Sequence, residues 1–111
     1  MVDFSKEDSP ELNRLKKKLG IECLWLHILS FLDSESLYAY ALQERLEREK
    51  GISASRIVSY RVLYPLEARG LVSSFKKEVD GRERKYYEIT DKGRKILAEA
   101  RSFLGEVRES T

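Results

Sequence analysis

The sequence predicts a mainly α fold with a small β-wing, and three observations predict it. Five stretches space their apolar residues as helices do, and Ser53–Gly70 (SASRIVSYRVLYPLEARG) is the best bounded of them. An Asp80-Gly81 pair sits between two runs of strand-forming residues. The order helix, strand, turn, strand then follows on earlier helices. That order is a winged helix-turn-helix, with additional N- and C-terminal helices left over for dimerisation.

The 111 residues amount to one domain. Its expected parts are a flexible tail over 1–8, N-terminal helices over 10–32, the helix-turn-helix and wing over 37–90, and a C-terminal helix over 91–108. Ser9-Pro10-Glu11 starts the first helix: serine can cap, proline suits the first helical position, and glutamate favours the positive helix end. Leu12, Leu15 and Leu19 form one narrow stripe, with Lys16, Lys17 and Lys18 as a solvated face mostly off it. Gly20 either kinks this helix or separates it from the next.

Ile21–Leu32 is apolar almost all round, interrupted only by Glu22, His27 and Ser30. Such a helix must be covered on every side. One side packs on the chain's own core. The other, carrying Leu24, Trp25 and Ile28, needs a second cover, and a second copy of so small a chain is the natural source. After Asp33–Ser36, a helix is expected from Leu37 to Lys50 with Tyr38, Ala39, Leu42 and Leu46 facing inward. Gly51 ends it.

In the central stretch, Ser53 or Ser55 is the N-cap. Val58, Val62, Leu63 and Leu66 are the buried stripe. Pro65 interrupts the pattern, because it lacks the donor for the Arg61 carbonyl and its ring crowds it. A kink near residues 61–65, or an early helix end, is expected. Strands follow over about 71–79 and 83–89, with either Tyr86 or Tyr87 packed inward. Thr90 caps the last helix, whose residues Ile96, Ala100, Phe103 and Val107 alternate four and three as a helix–helix seam does.

Charge is abundant and nearly balanced, with a net of +2, so global charge does not identify a nucleic-acid partner. Its distribution says more. Residues 1–50 carry eight Lys/Arg against ten Asp/Glu, and residues 51–111 carry thirteen against nine. Cys23 and His27 are each alone, which excludes a disulfide framework, a cysteine-based metal site and a histidine dyad. No glycine loop cradles phosphate and no nucleophile has a base partner, so the chain is not expected to be an enzyme or to carry a cofactor. No apolar run has membrane-spanning length and no signal peptide is present, so a cytoplasmic protein is expected. Asn13 and Gln43 are the only side-chain amides, a bias that points to a hot-growing source.

Three local patterns make the chain resemble the PadR-like winged-helix transcriptional regulators. Tyr38-Ala39-Tyr40 is similar to that family's His-Gly-Tyr. Ser55, Tyr60, Leu63, Leu66, Glu67, Gly70 and Leu71 fall at the family's spacing, which favours Ser55 as the helix start. Gly81-Arg82-Glu83-Arg84-Lys85-Tyr86-Tyr87-Glu88-Ile89-Thr90, with Gly93-Arg94 beyond, is close to the family's wing. One departure stands out: Ser59-Tyr60-Arg61 occupies the slot where the family usually has Leu-Tyr-Pro, and Tyr64-Pro65 comes one turn later. The resemblance implies a homodimer with two winged helices, joined through the terminal helices, and repressor activity.

On this reading duplex DNA is the expected partner, together with a second copy of the chain. Arg56, Ser59, Tyr60, Arg61 and Tyr64 are the candidates for groove contact, since a helix fits the major groove and arginine can bond guanine in a bidentate way. Lys76, Lys77, Arg82, Arg84 and Lys85 are the candidates on the wing. Trp25 is assigned to core or dimer packing, and no polar constellation calls for a small-molecule effector. The competing expectations are a protein–protein assembly module and an architectural DNA protein of low specificity.

Overall fold

The computed structural model describes residues 9–111, and the backbone alone of residues 56–59. The tail expected at residues 1–8 lies outside the described residues. Eight elements follow one another: α1 (Pro10–Leu19), α2 (Leu24–Leu32), β1 (Leu37–Tyr38), α3 (Ala39–Lys50), α4 (Arg56–Ala68), β2 (Val72–Val79), β3 (Arg82–Ile89) and α5 (Asp91–Ser110). A 3-10 turn over Ile21–Cys23 joins the first two helices. The strands form one antiparallel sheet in the order β1-β3-β2. The architecture is the expected winged helix-turn-helix: mainly helical, with a small sheet.

Helix α1 starts as its sequence indicates, with the Ser9 Oγ accepting from the Leu12 amide at 3.1 Å and Pro10 in the first turn. Its leucine stripe buries nothing in the described chain, and Leu15 remains 54% exposed. The single helix expected over Ile21–Leu32 is divided. Gly20 (ψ −102°) and Cys23 (ψ 34°) leave the helical region, and tighter 3-10 winding carries the chain between them. His27 bridges this joint, its Nε2–H donating to the Leu19 carbonyl at 2.7 Å.

The chain itself covers most of α2. Leu24, Ile28, Leu29, Phe31 and Leu32 join Leu42, Leu46, Leu63, Leu66, Val72, Tyr87 and Leu97 in one buried cluster. Leu24 and Ile28, expected at a dimer face, are therefore core residues with no surface left for a partner. Trp25 packs on the cluster's edge and keeps part of its surface.

The helix expected from Leu37 begins two residues later. Leu37 and Tyr38 form β1 instead, opposite Tyr87 and Tyr86 of β3. The edge of β3 supplies backbone partners that a first helical turn would leave unsatisfied. Nor does α4 end early at Pro65. The Pro65 carbonyl still accepts from the Arg69 amide at 3.0 Å, and the Gly70 and Leu71 amides close the last turn on Glu67 and Leu66. The intrahelical bond to the Arg61 carbonyl is the one the proline removes.

The end of α4 is fastened to the start of α5. The Thr90 Oγ1 accepts from the Gly93 amide at 3.0 Å and donates to the Gly70 carbonyl at 2.7 Å. The Thr90 amide donates to the Leu71 carbonyl, and the Lys92 Nζ to the Arg69 carbonyl. Thr90→Ala removes the cap and one partner of Gly70 together. A loss of about 1–2 kcal/mol is expected, read as a lower urea midpoint at unchanged slope. On the opposite side, Arg94 and Arg101 of α5 reach Asp33 at 3.5 and 3.6 Å. Beyond Leu97, α5 buries no further residue in the chain, and Phe103 is 62% exposed. No helix of the described residues is long and apolar enough to cross a membrane.

Candidate nucleic-acid interface

Helix α4 presents two unlike faces. Leu63 and Leu66 are buried beneath it, while Tyr60, Arg61 and Tyr64 are exposed, Tyr64 to 76%. Spacings of four (Tyr60 to Tyr64) and three residues (Arg61 to Tyr64) put these three on a common outward strip. The helix begins at Arg56, which places Ser55 at the N-cap position. The side chains of Arg56 and Ser59, and of Val58 in the expected buried stripe, lie outside the described residues.

The wing is the β2–β3 hairpin. Asp80 and Gly81 both have positive φ, 53° and 75°, the combination that a two-residue turn matching strand twist requires. Alternation then sorts its side chains. Tyr87 and Ile89 face inward and are buried, as expected of one of the paired tyrosines, and Tyr86 faces outward.

Glu67 of α4 accepts from the Ser74 hydroxyl and pairs with Lys85 at 3.5 Å, so one carboxylate ties α4 to both strands of the wing. Burial pushes the Tyr87 phenol up, against the pull of the Lys85 ammonium beside it. Desolvation works against the Lys85 charge, but Tyr87 and Glu67 outweigh it and raise its pKa.

The cross-strand register opposes like charges: Lys76 faces Lys85, and Lys77 faces Arg84. Such pairs destabilise a hairpin unless something offsets them. Here Lys76 pairs with Glu83 at 3.4 Å, Lys77 lies over the Tyr86 ring at 5.5 Å, and Arg84 lies over the Tyr38 ring at 4.6 Å. Arg82, at the tip, has no ion-pair partner among the described residues. Alternation thus divides the five wing cations between two faces, Lys77, Arg82 and Arg84 on that of Tyr86 and Lys76 and Lys85 on that of Tyr87, while Tyr60, Arg61 and Tyr64 form a neighbouring strip.

Sequence reasoning missed an aromatic row on the outer face. Tyr40 stacks near Tyr38 at 6.4 Å, Tyr38 meets Tyr86 edge-on at 5.4 Å, and Tyr86 stacks on Phe75 at 5.7 Å. The row depends on β1, which the sequence reading placed inside a helix. The alternation in Leu37-Tyr38 is too short to signal a strand by itself.

The family model for the PadR-like transcriptional regulators matches residues 28–99. A curated relative, the transcriptional regulator Rv3488 of Mycobacterium tuberculosis (strain ATCC 25618 / H37Rv), is 38% identical over 82 residues, which are 74% of this chain and 76% of that protein. The crystal structure of a PadR family transcriptional regulator from Eggerthella lenta DSM 2243 superposes with a TM-score of 0.75 at 27% identity, covering 90% of this chain and 88% of that one. Bacillus subtilis PadR in complex with operator DNA superposes with a TM-score of 0.64 at 26% identity. That match covers 71% of this chain but 46% of that one. With the helix strip, the wing and its turn already in place, these matches make the chain a member of the PadR-like family of transcriptional regulators.

Proposed function

We propose that the chain binds duplex DNA with sequence preference as a homodimer, and that it represses transcription by occupying its site. The observation that carries this reading is the outward strip of α4 beside a hairpin that tolerates opposed cations. Cations gathered along such a hairpin gain further when phosphates face them. The operator-bound relative supports the same reading.

Each chain acts as one winged-helix domain. Arg56, Ser59, Tyr60, Arg61 and Tyr64 enter the major groove, and Lys76, Lys77, Arg82, Arg84 and Lys85 meet the flanking backbone. The two α4 helices read half-sites related by the dimer axis. Pairing runs through the surface that one chain leaves apolar: the α1 leucines, Trp25, Ile96, Ala100, Phe103 and Val107. Trp25 and Ile96 line an open apolar cleft of about 410 Å³ with Val62, Pro65 and Leu66, and a second copy would close it.

Selection of bound sequences from a random duplex pool tests the proposal, and a palindromic motif is the expected result. An unenriched pool, with steep salt dependence, would mean an architectural protein. Arg61→Ala or Arg56→Ala is expected to weaken binding to the selected site by about 1–3 kcal/mol where that arginine reads a base. An equal loss on random duplex would reassign it to phosphate contact.

A further inference from the structure

We propose that the cleft between the start of α3 and the free edge of β3 is a seat for a DNA phosphodiester, and that Tyr38 is the residue that positions Arg84 in it. This rests on the DNA-binding reading and adds a site that lies between the α4 strip and the wing tip. The cleft has a volume of about 220 Å³ and is lined by Tyr38, Tyr40, Tyr60, Arg84 and Lys85, together with Ala39 and Glu83.

Three features set its ligand chemistry. Arg84 is half-buried, lies over the Tyr38 ring at 4.6 Å, and has no carboxylate partner among the described residues. A guanidinium stacked by its face still has donors along its edge, and an anion oxygen in that plane satisfies them. Next, α3 begins at this cleft without any side-chain cap, so its positive end and first-turn amides add to the same field. Finally, the two other charges are already engaged: Glu83 pairs with Lys76 at 3.4 Å and Lys85 with Glu67 at 3.5 Å. Arg84 is the cation left to meet a ligand.

The geometry of the aromatic row argues against a platform for unpaired bases. Arg84 lies over Tyr38 and Lys77 over Tyr86, and these rings also contact one another. Cations occupy the positions that stacking bases would need. The row offers charge to a backbone, with Tyr40 and Tyr60 exposed at its sides as hydroxyl donors.

The test is salt-dependent binding of the full chain to a labelled random-sequence duplex, with the matching single strand as comparison. Arg84→Gln is expected to weaken duplex binding roughly fivefold at physiological salt and to lower the slope of log K against log salt by about one, the share of one phosphate. Tyr38→Leu is expected to reproduce both changes while Arg84 is still present, and to add nothing in the Arg84→Gln background. Tyr38→Phe keeps the ring and is expected to bind as the unmodified chain does. A full slope in Arg84→Gln overturns the seat, and this surface change tests it even where Tyr38→Leu disturbs folding. Additive losses in the double variant overturn the positioning role, and preference for the single strand overturns the assignment to duplex. Salt-independent binding by the unmodified chain would instead bring down the DNA reading itself, and the seat with it.

Discussion

Replacing Phe103 and Val107 together by glutamate is expected to leave a folded monomer that no longer holds a palindromic site. Both side chains are exposed in the single chain, so the substitution removes nothing from its own core. In a paired helix seam, by contrast, it would bury unpaired carboxylates on both sides, at several kcal/mol. Two linked half-site contacts gain from effective concentration, and separating them costs roughly 10²- to 10⁴-fold in affinity. Sedimentation would give the mass, and titration of the selected duplex the affinity. A variant that sediments as a dimer with native affinity would remove α5 from the interface.

The second large effect is expected at Gly93. A Cβ there would lie 2.1 Å from the Leu71 carbonyl oxygen and 2.7 Å from the Ile89 Cγ1. The first clash is with backbone, which no rotamer change relieves. Gly93→Ala must therefore lift the first turn of α5 off the end of α4. A cost at or above the upper end of ordinary overpacking, about 3 kcal/mol, is expected, which is a fall in Tm of roughly 10–20 °C for a chain of this size. Gly105 in the same helix is the control. Nothing lies within 4 Å of its added Cβ, so Gly105→Ala is expected to leave stability unchanged or to raise it by up to about 1 kcal/mol. Equal thermal transitions for the two variants would refute the close-approach account of Gly93.

The elements fixed by local chemistry were legible in the sequence. Ser9, Thr90 and Asp80-Gly81 act through neighbours within three residues, and each does what its type and position predict. Periodicity alone pointed to Leu63 and Leu66 as buried residues of α4 and to one inward tyrosine of the Tyr86–Tyr87 pair, without choosing between the two. What failed depended on distant partners. Tyr38 joins a strand because β3, nearly fifty residues later, offers a free edge. Leu24 and Ile28 looked surplus because no local count shows how much of α2 the later elements would cover. Pro65 is a different case: of the kink or early end expected there, the early end is excluded by the local bonds of the Arg69, Gly70 and Leu71 amides. The cation strip was legible by composition, but the stacking of Arg84 on Tyr38 was not, since it needed β1 first.

The fastening of Thr90, Lys92 and Gly93 to residues 69–71 bears on how operators can vary. It makes α4 and α5 a single bracket, with no hinge between the part proposed to read bases and the part proposed to pair the copies. One extra base pair between half-sites displaces the second by about 3.4 Å and turns it by roughly 35° around the duplex. A bracket cannot follow that rotation, so the duplex must untwist to restore alignment. Tolerance to spacing then measures the torsional stiffness of the intervening DNA, and flexible pyrimidine–purine steps there would be favoured although no side chain touches them.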